Sequence, residues 1–511
     1  MLHSATIALA TRMMTRRTLL STLSATLSGA VPATLRAARP VPPPSPYGAV
    51  PTPRQMAWHA LEFTGFLHFT VNTFTDKEWG YGDEEPSLFH PEAFDADALL
   101  APLAQAGMRA VILTCKHHDG FCLWPTKTTD HSIFHSPWRG GKGDMVREIS
   151  QAAARRKMKF GVYLSPWDRN NAAYGSAEYI KIYRAQLSEL LTNYGPIFEV
   201  WHDGANGGDG FYGGAREKRT IDKNTYYDWP RTWEMIRAMQ PDAVVFSDVG
   251  PDVRWVGNER GIAGDPCWAT FDPVGEKGGP ASPGNVDTKE SGTGQRHASH
   301  WLPAECDVSI RPGWFWHAAE NARVKKPSQL ASLYYQSVGR GATFLLNVPP
   351  NRQGLVGVED AASLRAFGAY LNATFAQNLA AKAKTDSSHV RGNDKQFGPA
   401  HLLDGRADTY WATDDSVTDA TVTFDLGRPV KFNLIRLREA IQFGQRVDGF
   451  TIQRWQNDAW EPLAKATGIG PRRILKLDSP VIASRLRLSI DRASASPALT
   501  EFAVFSEAAL A

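Results

Sequence analysis

Short apolar runs alternate with helical spacing over roughly the first three-quarters of the chain. Residues 63–69, 109–116, 159–167, 197–202, 243–248 and 342–348 read as buried strands. Between two of them, residues 176–194 place Ile180, Tyr183, Leu187 and Leu190 at the three- and four-residue steps of one helix face, and residues 95–106 precede 109–116 in the same manner. Strand, helix and strand in regular repeat imply a parallel sheet. An open doubly wound sheet and a closed (β/α)8-type barrel both produce this alternation, and the strand ends decide for the barrel. His68, the run Lys116-His117-His118-Asp119, the run from Ser165 to Asp168 and the run Trp201-His202-Asp203-Gly204 all follow strands. Polar and aromatic residues leaving the C-terminal ends of several strands are how a barrel builds a site.

Beyond about residue 385 the pattern changes to short alternating strands at 422–426, 432–437, 450–455 and 485–490, with no helical spacing between them. The expected fold class is therefore α/β, a barrel over 50–380 followed, after a linker at 381–393, by an all-β sandwich over 394–511. Ahead of the barrel, residues 39–49 form a Pro-rich tether without core residues. Residues 1–38 read as an export signal, with Arg16-Arg17 before a weakly apolar Ser/Thr/Ala-rich run, which resembles a twin-arginine leader and places the mature protein in the periplasm or outside the cell. Met13 or Met14 is an alternative start. No later stretch supplies the roughly 20 apolar residues of a membrane span.

The formal charge of +3 becomes −1 without Arg12, Arg16, Arg17 and Arg36 of that leader, so the body has no strong field for a phosphate backbone and nucleic acid is not an expected partner. The four cysteines are too scattered for a disulfide framework and none has C-x-x-C spacing; they read as buried thiols, with one disulfide as the alternative. Gly208, Gly210 and Gly213 match G-x-G-x-x-G after a strand, but no amphipathic helix follows to receive a pyrophosphate, and a flexible loop over a site is the better reading.

His117 and His118 are adjacent, so on a strand end their rings point apart and cannot easily share a metal. They read as hydrogen-bonders to a polyhydroxylated ligand beside Trp124 and Trp167, or as a core histidine beside a ligand-binding one. Asp203 ends an apolar strand at the barrel mouth, and Glu259 sits in a Gly/Pro-bounded loop after the next strand. Taken alone, the first is also an ordinary turn aspartate and the second a solvated loop charge. Together, two carboxyl groups over a cleft rich in Trp and His fit glycosidic cleavage, one to attack the anomeric carbon and one to protonate the leaving oxygen.

From about residue 55 to 355 the chain resembles glycoside hydrolase family 29, the α-L-fucosidases, through Gly65 to Phe69, Glu78-Trp79-Gly80, Lys116 to Phe121, Tyr163 to Asp168 and Trp201 to Gly204 in the family's order. The resemblance implies Asp203 as nucleophile and His68, Glu78, Trp79, His117, His118 and Tyr163 as the fucose-binding shell. The segments Arg254 to Glu259 and Ser309 to His317 are similar to the branch acting on α-1,3/1,4-linked fucose of branched glycans, which implies Glu259 as acid/base in a retaining double displacement. Trp314 or Trp316 would close the pocket, Arg231 is a further contact, and Asp252 or Glu305 would replace Glu259 as the acid should it fail. Fucosylated oligosaccharides or glycoprotein glycans are the implied substrates, with no cofactor for catalysis. The C-terminal segment, with Asp404-Gly405 and Trp411, resembles a factor 5/8 type C, galactose-binding-like domain, which implies a structural calcium with Asp404 as a ligand and leaves sugar binding or plain support as its role. The reading from another class is a non-catalytic fucosylated-glycan-binding protein; a fucosidase of other linkage preference is the second alternative.

Overall fold

The computed structural model describes residues 40–510, so the expected export signal lies outside the described residues. Residues 40–42, which carry no helix or strand, are the described end of an N-terminal unit, and Pro43–Ala511 forms one compact unit. Eight parallel strands close a barrel in sequence order: β1 (Phe63–Leu67), β2 (Ala110–Lys116), β3 (Lys159–Leu164), β4 (Ile197–Trp201), β5 (Val244–Ser247), β6 (Val253–Trp255), β7 (Ala304–Ser309) and β8 (Thr343–Asn347), with β8 hydrogen-bonded back to β1. Six of these coincide with the apolar runs. The other two escape the pattern because β6 is three residues long and β7 alternates Ala304, Cys306 and Val308 with Glu305, Asp307 and Ser309, whose side chains are buried as well.

The helices form where the periodicity places them. Ala96–Gln105 starts at Asp95, whose carboxylate accepts from the Ala98 N–H at 2.8 Å, and buries Leu99, Leu100 and Leu103. Ala177–Asn193 buries Ile180, Tyr183, Leu187, Leu190 and Leu191 along one face. Inside the barrel, Phe66, Ile112, Tyr163, Trp201, Phe246 and Leu345 fill the space between the strands, while the larger core lies between strands and helices. No described helix is long and apolar enough to cross a membrane.

The second domain is an antiparallel sandwich. Two long strands, Ala420–Glu439 and Arg473–Ala493, change register at bulges such as Asp425/Val430, so the expected strands 422–426 and 432–437 are two halves of one bent strand. Phe424 stacks on Phe502 at 3.8 Å in its core. Residues 381–393, expected to be a linker, contain strand Lys384–Ser387, paired with Val422 to Asp425; its polar side chains hid it, because an edge strand is held by backbone bonds. The Pro-rich stretch is likewise not without core residues: Pro44 is buried and the Tyr47 N–H donates to the Phe443 carbonyl at 2.9 Å. Leu434, Ile474 and Phe505 of the sandwich join the barrel's outer core, and Arg438 and Arg472 both pair with Glu62. All four cysteines are free and buried.

Candidate active site

The C-terminal strand ends surround a pocket of about 360 Å³ lined by residues including His68, Trp79, His117, His118, Asp203, Asp248, Glu259, Asp307 and Trp314. Its floor is built on the barrel interior: the Trp201 ring stacks on Phe246 at 4.2 Å and on Tyr163 at 5.3 Å, and its indole N–H donates to Glu305 at 2.9 Å.

Asp203 follows β4. One carboxylate oxygen accepts from the Ala205 N–H at 2.7 Å, a turn bond, and the other from the Tyr163 hydroxyl at 2.9 Å. Burial, followed by the neighbouring Asp203 charge, pushes the Tyr163 phenol far up, which keeps it a donor. His118 Nε2 lies 3.9 Å from the same carboxylate oxygen, while its Nδ1 faces Ser165 Oγ at 2.7 Å; because that hydroxyl donates onward to the Trp167 carbonyl, the hydrogen-bond network assigns the proton to Nδ1 and an acceptor to the pocket. His68 Nδ1 is 2.9 Å from Asn347 Oδ1 on β8. Burial lowers His68 to about 3 and His118 to about 4, and lowers His117 well below the ordinary imidazole range, so all three rings are neutral at pH 7.

His117 and His118 both face the pocket, with ring centroids 4.1 Å apart, contrary to the expectation that they point apart. β2 ends at Lys116, so strand alternation no longer applies to them. Among the described residues no group of three His, Cys, Asp or Glu side chains is placed to hold a metal ion. Trp167 lies beside His118 at 5.3 Å, whereas Trp124 is in the core with its N–H on Glu189.

Of the two indoles offered for the lid, Trp314 lines the pocket, 5.1 Å from His68, and Trp316 sits instead against the Arg311 guanidinium. Glu78 is turned away from the lining: it accepts from the backbone N–H of Trp314 at 2.8 Å and of Phe315 at 3.2 Å and pairs with His317 at 2.6 Å, so it holds the Trp314 loop. Trp79 stands 52% exposed at the rim, edge-on to His118 and Trp167. Arg231 is exposed on the first turn of helix Trp229–Met239 and does not reach the pocket; a helix start beside the barrel was indistinguishable in sequence from a loop over it.

Glu259 sits on the loop after β6, hydrogen-bonded to the Trp314 side chain. Partial burial raises its carboxyl above the usual range, the Trp314 contact opposes this, and the charges of Asp203 and Glu78 add to the rise. The fallback acids do not serve: Asp252 is clamped by Arg54 and Arg237, and Glu305 is sealed beneath Trp201. Two further carboxyl groups line the pocket that sequence reasoning passed over. Asp248, just past β5, is raised to about 7 by burial, and Asp307 on β7, which accepts from the Trp255 indole at 2.7 Å, is pushed well up by burial. Asp248 ends a run already read as a strand, so the signal that selected Asp203 was present there too.

The G-x-G-x-x-G segment is a pinned hairpin, Gly208–Gly210 with Glu217–Arg219, not a free loop. A Cβ at Gly208 would come within 2.8 Å of the Trp167 ring, and the Tyr212 hydroxyl accepts from the Trp167 indole at 2.9 Å. In the sandwich, Asp404 lies on a surface loop and is engaged with its own neighbours. Its oxygens are taken by the Arg406 N–H at 2.9 Å, the Thr409 hydroxyl at 2.6 Å and His401.

Neutral imidazoles and indole faces suit the hydroxyls and C–H surfaces of a sugar, and Asp203 and Glu259 in one pocket suit cleavage of its glycosidic bond; on a parallel barrel these define a glycoside hydrolase. Residues 48–374 match the model of the family Alpha-L-fucosidase and residues 383–502 that of the F5/8 type C domain. Alpha-L-fucosidase 1 of Arabidopsis thaliana is 41% identical, over 91% of this chain and 89% of its own. Among solved structures, a putative alpha-L-fucosidase from Bacteroides thetaiotaomicron is 36% identical with a TM-score of 0.81, covering 91% of this chain and all (100%) of its own. A Ruminococcus gnavus family 29 fucosidase in complex with fucose is 31% identical with the same TM-score of 0.81, covering 91% and 97%. The chain belongs to the α-L-fucosidases of glycoside hydrolase family 29, and carries an F5/8 type C domain behind the barrel.

Proposed function

We propose that this fucosidase works with retention on α-1,3/1,4-linked L-fucose at branch points of oligosaccharides or glycoprotein glycans. The observation that supports the mechanism is the unlike treatment of two carboxyl groups in one pocket: Asp203 is held by two donors, while Glu259 is raised by partial burial and by negative neighbours. Asp203 attacks C1 as the glycosidic bond breaks, and Glu259 gives its proton to the departing sugar oxygen; Glu259 then takes a proton from water, which displaces Asp203 from C1. Retention of configuration follows from the two inversions. Neutral His68, His117 and His118 accept from or donate to fucose hydroxyls, and Trp314 and Trp79 cover its C–H surfaces. Residues with these roles need no metal. The twin-arginine-like leader supports action outside the cytoplasm, where such glycans occur.

The test is a panel of α-1,2-, α-1,3-, α-1,4- and α-1,6-fucosylated oligosaccharides, followed by measurement of free fucose. Branched α-1,3/1,4 substrates carrying galactose beside the fucose should be cleaved fastest, because contacts to the neighbouring sugar lower the barrier. Preference for α-1,2 linkages would overturn the linkage assignment while leaving the fucosidase activity in place.

A further inference from the structure

The segment 271–301 links the pocket to the sandwich. At its base, Thr270 and Trp301 form a backbone bridge, and the Gln295 N–H donates to the Thr270 carbonyl at 2.9 Å. Its tip supplies Gly284, Val286 and Thr288 to the pocket wall. There the Gly284 N–H donates to Asp248 at 2.9 Å, and the other Asp248 oxygen is buried without a hydrogen-bond partner. The approach is close enough to demand glycine: at Gly284, with φ of +82°, a Cβ would fall 2.4 Å from the Gly204 carbonyl, next to Asp203. The same segment presses on the loop of Glu259, since a Cβ at Gly257 would lie 3.2 Å from the Thr288 carbonyl. Buried Arg254 continues the contact by donating to the Ser291 carbonyl at 2.9 Å.

The tip is held to the barrel by Lys223, which donates to the Gly284 carbonyl at 2.7 Å, and on the side of the sandwich the segment is anchored by Arg296. Its guanidinium lies 4.6 Å from the Trp268 ring centre, donates to the carbonyls of Gln445 at 3.1 Å and Arg446 at 3.2 Å, and pairs with Asp448, all three at the entry to strand Val447–Gln456 of the sandwich. Asp448 is fixed in turn by the Ser494 hydroxyl at 2.6 Å, and Gln445 accepts from the Ala269 N–H at 3.1 Å. Four polar contacts thus join this part of the barrel to the second domain, three of them made by Arg296 of the insert, and the far end of that insert carries pocket wall.

We infer that the wall formed by Asp248 and the tip of segment 271–301 binds the sugar from which fucose departs, and that the sandwich holds this wall in place through Arg296. The inference rests on the fucosidase reading and extends it to the leaving sugar. Asp248 and Thr288 line the pocket together with Asp203 and Glu259, so this wall offers a carboxyl group and a hydroxyl to a sugar bound beside the reacting bond. Arg296 is a positioning residue, because it touches neither sugar. The sandwich of this protein therefore tunes which oligosaccharides are cleaved without itself needing a sugar site.

The experiment measures kcat and KM for Arg296→Ala, Arg296→Lys and Asp448→Asn on an α-1,3/1,4-fucosylated trisaccharide and on an aryl fucoside, with the thermal midpoint recorded beside them. Arg296→Ala should lose about tenfold in kcat/KM on the trisaccharide, chiefly through KM, and stay within about twofold on the aryl fucoside, which has no leaving sugar to place. Arg296→Lys, which keeps the ion pair with Asp448, should recover part of the loss. Equal losses on both substrates, or none on the trisaccharide, would overturn the inference. Should Arg296→Ala not fold, Asp448→Asn keeps the side-chain volume and is judged by the same ratio. Failure of the unmodified enzyme to release fucose from either substrate would instead overturn the functional reading beneath it.

Discussion

Asp203 owes its place to two donors on different elements, the Tyr163 hydroxyl from β3 and the Ala205 N–H from its own turn, so removing the carboxylate leaves a gap and does not collapse the floor. Asp203→Ala should fold and lose at least about 1,000-fold in kcat, roughly 4 kcal/mol of barrier, with azide restoring part of the turnover by entering the gap; full activity in the variant would remove Asp203 from the mechanism. Glu259 is the complementary case. Glu259→Ala should slow an oligosaccharide with a poor leaving group by roughly 100-fold or more, and an activated aryl fucoside by under about tenfold, because the latter departs with little protonation. Equal losses would make Glu259 structural. At this scale the residues at strand ends were legible, since the apolar runs are broken by His68, Lys116 and His202. Orientation was not: Glu78 carries the expected charge but spends it on the Trp314 loop, and the choice between Trp314 and Trp316, two residues apart, rests on how that loop turns.

Among the elements, β7 shows why periodicity fails at the heart of a barrel. Its inward side chains Glu305, Asp307 and Ser309 break the apolar run that marked the other strands, yet they support the floor and wall of the site. Buried Glu199 on β4 is pushed well up by burial and then by the neighbouring Glu305, and Glu305 and Glu199 each have one indole donor, from Trp201 and Trp58 respectively. Burial raises Glu305 to about 8, so the folded protein keeps a proton that the unfolded chain releases near 4.5. Stability is therefore lost through this group as pH rises from about 4.5 to about 8. Glu305→Gln cannot titrate, and its thermal midpoint relative to the unmodified protein should climb between pH 5 and pH 8; a constant difference would show that Glu305 is not the group responsible. Helices were easier to read because their caps are local. Asp95→Ala removes the bond to the Ala98 N–H at the start of Ala96–Gln105 and should cost about 1 kcal/mol in denaturant unfolding.

For the molecule as a whole, the division into barrel and sandwich was visible as a change from mixed to purely alternating pattern near residue 385. The joint between them was not, because Arg296, Gln445 and Asp448 are far apart in sequence and each alone is an ordinary surface polar residue. The long bent strands Ala420–Glu439 and Arg473–Ala493 were also read in pieces, since the bulges interrupt the alternation midway. What unites the levels is a barrel whose strand ends bring Asp203 and Glu259 into one pocket, as the proposed double displacement requires. Proton NMR of fucose during the first minutes of cleavage of an α-1,3/1,4-branched trisaccharide tests this most directly. The account predicts that α-L-fucose appears first and the β anomer only later by mutarotation; β-L-fucose as the first product would contradict the double displacement through Asp203.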